Sequence, residues 1–302
     1  MNREPEDLSA ELQLSLFWTV RYRLQAAKVP LCLLVAFSSL LGFVLFASRL
    51  GWLGCGVFIS VLLLACGGAT LNSFQEHRCD RLMERTRRRP VASGVLFPES
   101  ARRQGQLLSG AGLLLLYLTT WSAPAVVAGA AALVLYNAVY TPLKQRTIWA
   151  IVPGALCGAM PPYIGWLAAG GTVLSPAILA VTASMVLWQV PHFWLVLLSY
   201  RSQYRCSTQP NLARMMAEPV LKYLSVVWVA ALLVVLQTMV AMMTAMPVGL
   251  RIMISATGFG LLLVFSILMV VRREPNYRFL FMLLNMFMLY IMAMFTVGSL
   301  VV

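Results

Sequence analysis

Residues 52–72 read WLGCGVFISVLLLACGGATLN, and residues 73–90 follow at once as SFQEHRCDRLMERTRRRP. The first stretch carries no charge and has the length of a membrane-spanning helix, which needs about 20 mostly apolar residues. The second holds Glu76, Asp80 and Glu84 among a crowd of arginines. An apolar run that passes directly into a basic, polar one is a helix leaving the bilayer on its positive side. Similar apolar runs recur at 27–47, 105–121, 124–141, 149–169, 176–199, 219–245, 248–271 and 279–301. With 52–72 they predict an all-α membrane protein, a bundle of nine transmembrane helices. The third and fourth are short and are parted by little more than Ser122-Ala123-Pro124.

Composition agrees. Hydrophobic residues make up 60% of the 302, charged residues 11%, and mean hydropathy is +0.81. A soluble domain carries about a quarter charged residues, so a water-soluble fold is excluded. The period-two alternation of a transmembrane β-barrel is absent. The net charge of +13 raises the question of nucleic acid, but topology accounts for it. With nine spans, every Lys and Arg except Arg49 and Arg251 falls on one side. That side is cytoplasmic by the positive-inside rule, and no nucleic-acid partner is needed. Residues 1–26 form a cytoplasmic segment containing Glu4, Glu6, Asp7 and Glu11. They match neither a secretory signal nor a transit peptide, which favours a bacterial inner membrane with the N-terminus inside. Residues 27–302 read as one transmembrane domain with motif loops at about 72–104, 141–148 and 200–218. The six cysteines are scattered without a C-x-x-C and read as packing residues.

If the second span stays helical past residue 72, Asn72, Glu76 and Asp80 repeat every four residues along one face, and Glu84 continues the series. Acids at that spacing repel unless a cation lies between them. An amide oxygen with carboxylates is a hard-oxygen set suited to Mg²⁺, an ion usually completed by substrate phosphates. One residue on, Arg81, Arg85 and Arg89 share the spacing, and their planar forks suit phosphate oxygens. Pro90 predicts the helix end near Arg89. A solvated loop whose acids pair with neighbouring arginines, Glu84 with Arg88, fits the same spacing.

Two further clusters are polar where polarity is costly. Tyr140-Thr141-Pro142-Leu143-Lys144 with Arg146 and Thr147 supplies a phenol and two cations at the same membrane face; topology anchoring is the plain alternative. The next span, with Gly154, Gly158 and three prolines (Pro153, Pro161, Pro162), suits close packing and a cavity wall. The third cluster, Trp188-Gln189-Val190-Pro191-His192-Phe193, places one of two histidines inside an apolar run. An intramembrane histidine is a functional residue or a satisfied interior one. His77, facing the polar loop, has the weaker claim.

Together these motifs resemble the UbiA superfamily of intramembrane prenyltransferases, and within it the branch that farnesylates haem. The first motif is Asn72, Glu76, Asp80, Met83, Arg85, Thr86 and Arg89. The second runs from Tyr140 through Lys144 and Arg146 into Gly158-Ala159-Met160-Pro161-Pro162. Trp188-Gln189-x-Pro191-His192-Phe193 points to the haem branch. The resemblance implies a helical bundle around a central cavity. It implies farnesyl transfer from farnesyl diphosphate to a vinyl group of haem b within the lipid bilayer, giving haem O. Asn72, Glu76 and Asp80 would hold Mg²⁺; Arg85, Arg89, Lys144 and Arg146 would bind diphosphate; Tyr140 would face the allylic cation; His192 would meet the haem. Association with haem A synthase or terminal oxidase assembly is a further implication. Two departures stand out. Glu76 occupies a position where the family has Asp, and Gln203 replaces an acid before Tyr204, with no acid between Glu99 and Glu218. A second Mg²⁺ would then rely on neutral oxygens such as Gln203 or Asn211; a single metal is the alternative. An aromatic quinone precursor as acceptor, or a haem-binding protein without catalysis, are the competing expectations.

Overall fold

The computed structural model describes residues 18–202, 212–272 and 274–301, all helical or connecting. Its helices are α1 (18–26), α2 (Val29–Ala47), α3 (Trp52–Leu82), α4 (Pro98–Thr120), α5 (Ala123–Leu143) and α6 (Ile148–Ala168). They continue with α7 (Pro176–Ser199), α8 (Glu218–Met242), α9 (Val248–Val271) and α10 (Tyr277–Val301). Among the described residues, eight of these are long and apolar enough to cross a membrane. Helix α4 is not one of them, because Arg102, Arg103, Gln104 and Gln106 occupy its first half. It nevertheless follows α3 closely. Gly105 lies against Leu71, Ser109 against Gly67, Gly112 against Leu64 and Thr119 against Gly56. That register is antiparallel and unbroken from residue 56 to 71, and small residues permit it.

The core sits between helices rather than under a solvent shell. Phe265, Phe295, Leu195 and Leu232 are fully buried, whereas Trp52, Leu107, Val234 and Leu263 face outward and are exposed. Such an apolar exterior is what lipid accepts and water does not. Helices α2 and α6 cross at glycine: a Cβ at Gly42 would strike the Pro162 carbonyl, and one at Gly165 the Ser39 carbonyl. Without side chains there, the two backbones touch.

Two local features position the polar face. Helix α5 widens into a π-helical turn over Val134–Tyr140. The Tyr136 carbonyl accepts from both the N–H and the hydroxyl of Thr141, and Pro142, with no N–H to give, leaves the Asn137 carbonyl to accept from Gln75 Nε2 (2.9 Å). π-Helical turns of this kind often accompany functional sites. Helix α3, for its part, runs unbroken to Leu82 and then stops, seven residues earlier than Pro90 led us to expect, with Met83 extended at φ −103°. The Asp80 carbonyl accepts from the Met83 N–H (3.4 Å) and from the Thr86 hydroxyl (2.9 Å), which satisfies one of the helix's terminal acceptors. The chain then folds back, because Val91, Leu96 and Ala101 bury themselves with Ala26 against Phe74. The arginine stripe therefore does not exist as a helix face. Glu84, Arg85 and Arg89 leave the helical series, and the Arg81 Nε donates to the Ala92 carbonyl (2.7 Å).

Candidate functional site

Asn72, Glu76 and Asp80 lie along one face of α3, each under one tenth exposed. Every one meets a cation. Lys28 Nζ donates to Asn72 Oδ1 (3.0 Å). Lys144 Nζ lies 2.5 Å from Glu76 Oε1. Arg89 Nη1 donates to both Asp80 oxygens, at 3.1 and 2.9 Å. Buried charges of this kind are tolerated only when paired. Three cations against two carboxylates leave one positive charge in excess, so the ledge as a whole favours an anion.

The three cations come from three places. Arg89 arrives by the fold-back after α3. Lys144 follows the π-helical turn of α5, which is latched to α3 by polar contacts. Asn72 Nδ2 donates to Thr141 Oγ1 (3.1 Å), Gln75 Nε2 to the Asn137 carbonyl (2.9 Å), and Asn137 Nδ2 to the Gly68 carbonyl (2.9 Å). Lys28 lies between α1 and α2 with φ at 51°, a left-handed conformation uncommon outside glycine. Burial, and then the Arg89 charge, push its ammonium down from the ordinary lysine range to about 8, against the pull of Glu76 and Asp80. A small cavity of about 110 Å³ is lined by Lys28, Asp80, Arg89, Ser73 and Pro90.

Sequence reasoning missed Lys28. Its only signal was a lysine two residues before Pro30 at the mouth of an apolar span. Asn137 and Gln75, which with Thr141 form the latch that aims Lys144, were missed as well, because their roles depend on the packing of α3 on α5.

Of the other predicted residues, Arg85 is exposed and its guanidinium sits 5.5 Å from the Tyr200 ring centre, with Arg278 at the same distance from that ring. Arg85 thus stands at the rim, not on the acid face. Arg146 is also exposed. His77 turns away: its Nδ1 meets the Phe74 carbonyl at 2.6 Å, and it lines a separate open hollow with Gln75, Arg78 and Gln145. Gln203 and Asn211 lie outside the described residues. Glu218 is engaged by Lys222 (3.3 Å), Arg201 (3.8 Å) and the Tyr277 hydroxyl.

From the acid ledge an aromatic row leads to α7. Lys144 Nζ is 4.9 Å from the Tyr140 ring centre, and Tyr140 stacks on Tyr136 (5.9 Å) and on Phe193 (6.5 Å). Gly154 of α6 leaves room for the Tyr140 ring, which a Cβ there would meet at 2.8 Å. Phe193 in turn contacts His192 edge-on (5.7 Å), and His192 packs against Trp188 (4.9 Å) and Phe281 (4.7 Å). Three successive contacts therefore join the cation over Tyr140 to the intramembrane histidine. Tyr140 and His192, far apart in the chain, thus lie on one aromatic row. In chemistry the donor set suits Mg²⁺, with one amide and two carboxylates, all hard oxygens, on one face of α3.

Residues 24–291 match the UbiA prenyltransferase family. Among curated relatives, the protoheme IX farnesyltransferase of Geobacter sulfurreducens is 47% identical over 145 residues, 48% of this chain and 53% of that protein. Its namesake in Oleidesulfovibrio alaskensis is 41% identical over 59% of this chain and 62% of the relative. That of Nitratidesulfovibrio vulgaris is 35% identical over 72% and 74%. The chain thus matches little more than half the length of the first two. Among solved structures, one of a digeranylgeranylglyceryl phosphate synthase superposes with a TM-score of 0.73 at 13% identity, covering 94% of this chain and 99% of that one. A UbiA homologue from Archaeoglobus fulgidus, bound to GPP and Mg²⁺, gives 0.66 at 15%, covering 93% and 100%. At those identities the structures speak for the fold alone. The family match encloses the acid ledge, the latch and the aromatic row from Lys28 to Phe281, and the chain belongs to the UbiA prenyltransferase family.

Proposed function

We propose that this protein transfers a farnesyl group from farnesyl diphosphate to a vinyl group of haem b, giving haem O, with Mg²⁺ on Asn72, Glu76 and Asp80. The observation that carries the reading is the buried ledge of two carboxylates and three cations that opens onto the Tyr140–Phe193–His192 row. The names of the curated relatives supply the acceptor. We further propose nine crossings with the N-terminus and the ledge on the cytoplasmic side of a bacterial inner membrane. The unbroken antiparallel register of α4 on α3, and the one-sided distribution of Lys and Arg, support this.

The chemistry follows from where charge develops. Breaking the allylic C–O bond leaves negative charge on the departing diphosphate and positive charge on the isoprenoid. Mg²⁺, when bound, would neutralise the leaving group. Lys28, Lys144 and Arg89 are already aimed at the ledge and would turn their donors to diphosphate oxygens. These donors strengthen as charge grows, which is where electrostatic catalysis acts. Arg85 and Arg146 at the exposed rim would attract the anion on entry. The ring faces of Tyr140, Tyr136 and Phe193 would hold the allylic cation. The apolar surroundings keep water from quenching it before the vinyl electrons attack; that attack forms the new C–C bond at the terminal vinyl carbon and leaves the positive charge on the adjacent carbon, where one water then adds its oxygen as a hydroxyl and releases a proton.

The test is incubation of purified protein with haem b, Mg²⁺ and prenyl diphosphates of several lengths, followed by mass analysis. A haem product heavier by a farnesyl-derived group, lost on chelation of divalent ions and restored by Mg²⁺, is the expected result. Recovery of unmodified haem b bound to the protein would leave a haem carrier. Prenylation of an aromatic acid but not of haem would assign the protein to the quinone branch.

A further inference from the structure

His192 lies on α7 inside the bundle, and its Nδ1 is 2.9 Å from Asn285 Oδ1 on α10. The orientation of the Asn285 amide is set by its other end, where Nδ2 donates to the Phe281 carbonyl at 2.5 Å. Turning that amide over would press Oδ1 against a carbonyl oxygen, two acceptors with no proton between them. Oδ1 therefore faces His192, and since it can only accept, Nδ1 must carry the proton. The neutral imidazole then has its lone pair on Nε2. Among the described residues Nε2 makes no hydrogen bond. In the same helical turn, Trp188 Nε1 and Gln189 Oε1 are buried without a hydrogen-bond partner. Buried polar groups are normally satisfied, so this layer of the bundle lacks a bound partner rather than a packing neighbour.

We infer that Asn285 is a positioning residue that locks the Nδ1–H tautomer of His192 and so presents Nε2 as a ligand to the iron of the haem acceptor. This rests on the haem-acceptor reading above and adds the mode of recognition. A histidine that binds metal through one nitrogen and is held through the other by an oxygen acceptor is the arrangement that fixes ring orientation and raises ligand basicity. Ligation at His192 also anchors the macrocycle beside Phe193, the next ring in the row that leads to Tyr140 and the diphosphate ledge.

The experiment titrates haem b into the full-length protein in detergent and reads optical and electron paramagnetic spectra, with product formation assayed on the same samples. Wild type should show nitrogen ligation. His192→Gly should lose it and regain it on addition of imidazole. Asn285→Leu should weaken haem binding by about tenfold to a hundredfold, the effect typical of a lost outer-shell partner. Asn285→Asp keeps an acceptor, so ligation should persist with a lowered haem reduction potential, a shift that a purely structural role would not cause. Should Asn285→Leu fail to fold, the aspartate variant and the imidazole rescue still decide. Wild-type protein that makes haem O while its spectrum is unchanged by His192→Gly overturns ligation and leaves the transferase standing. Protein that neither binds nor converts haem b overturns both.

Discussion

Asp80 is the residue on which the ledge turns. Its carboxylate holds Arg89, and its backbone carbonyl accepts from Thr86, so one residue ties the carboxylate face of α3 to the fold-back. Asp80→Ala should abolish prenyl transfer while leaving membrane insertion intact, because the residue lies past the apolar part of α3; wild-type turnover by that variant would remove the metal site from the mechanism. Lys28 makes a different prediction. Its ammonium meets Asn72 across the gap between α2 and α3, and a charge-assisted hydrogen bond is worth about 1.5–3 kcal/mol. Lys28→Met should therefore raise the KM for prenyl diphosphate by about tenfold or more, with less effect on haem affinity. Steady-state kinetics with each substrate varied in turn would separate the two. Asn72, Glu76 and Asp80 were legible in the sequence because a four-residue spacing is local arithmetic. Lys28 was not, since 44 residues separate it from Asn72 and only packing closes that distance.

At the scale of elements, glycine and proline do most of the placing. Gly42 and Gly165 let α2 and α6 meet backbone to backbone, and no side chain can be added without parting the helices. Gly42→Ala and Gly165→Ala should each cost about 1–3 kcal/mol, the usual range for overpacking, seen as a lower Tm in detergent. Gly110→Ala, where a Cβ meets nothing within 4 Å, should leave Tm unchanged or slightly raised. The π-helical turn of α5 gives a third prediction. Thr141→Val removes the hydroxyl that serves both Asn72 and the Tyr136 carbonyl. Transfer should fall while folding persists, measured as turnover against near-wild-type Tm. The sequence predicted α3 as a helix ending near Arg89, before Pro90; the helix ends at Leu82. The burial of Val91, Leu96 and Ala101 outweighs seven more residues of solvated helix, since helix propensity is a weak preference beside tertiary packing.

For the whole molecule, orientation is the testable quantity. Thiol reagents that cannot cross the membrane should label single cysteines placed at Glu84 and Arg146 only from the cytoplasmic side. Cysteines placed at Trp121 and Thr172 should react only from the other side, in a background free of the native cysteines. Labelling of positions 84 and 121 from one side would mean that α4 does not cross, and the count of nine would fail. The bundle also explains why the polar groups sit where they do. A membrane protein cannot leave carboxylates unpaired near hydrocarbon, so the acids of α3 are found with Lys28, Arg89 and Lys144 gathered from three other segments.

The sequence by itself determined the class of fold and the carboxylate face of α3, since apolar length and helical spacing are both properties of neighbouring residues. Tertiary structure alone decided which cations meet those carboxylates, that Tyr140 and His192 share one aromatic row, and that Asn285 sets the proton on His192. Those pairings depend on where a helix stops and on how closely two backbones approach, and both are settled by the balance of burial across the whole bundle.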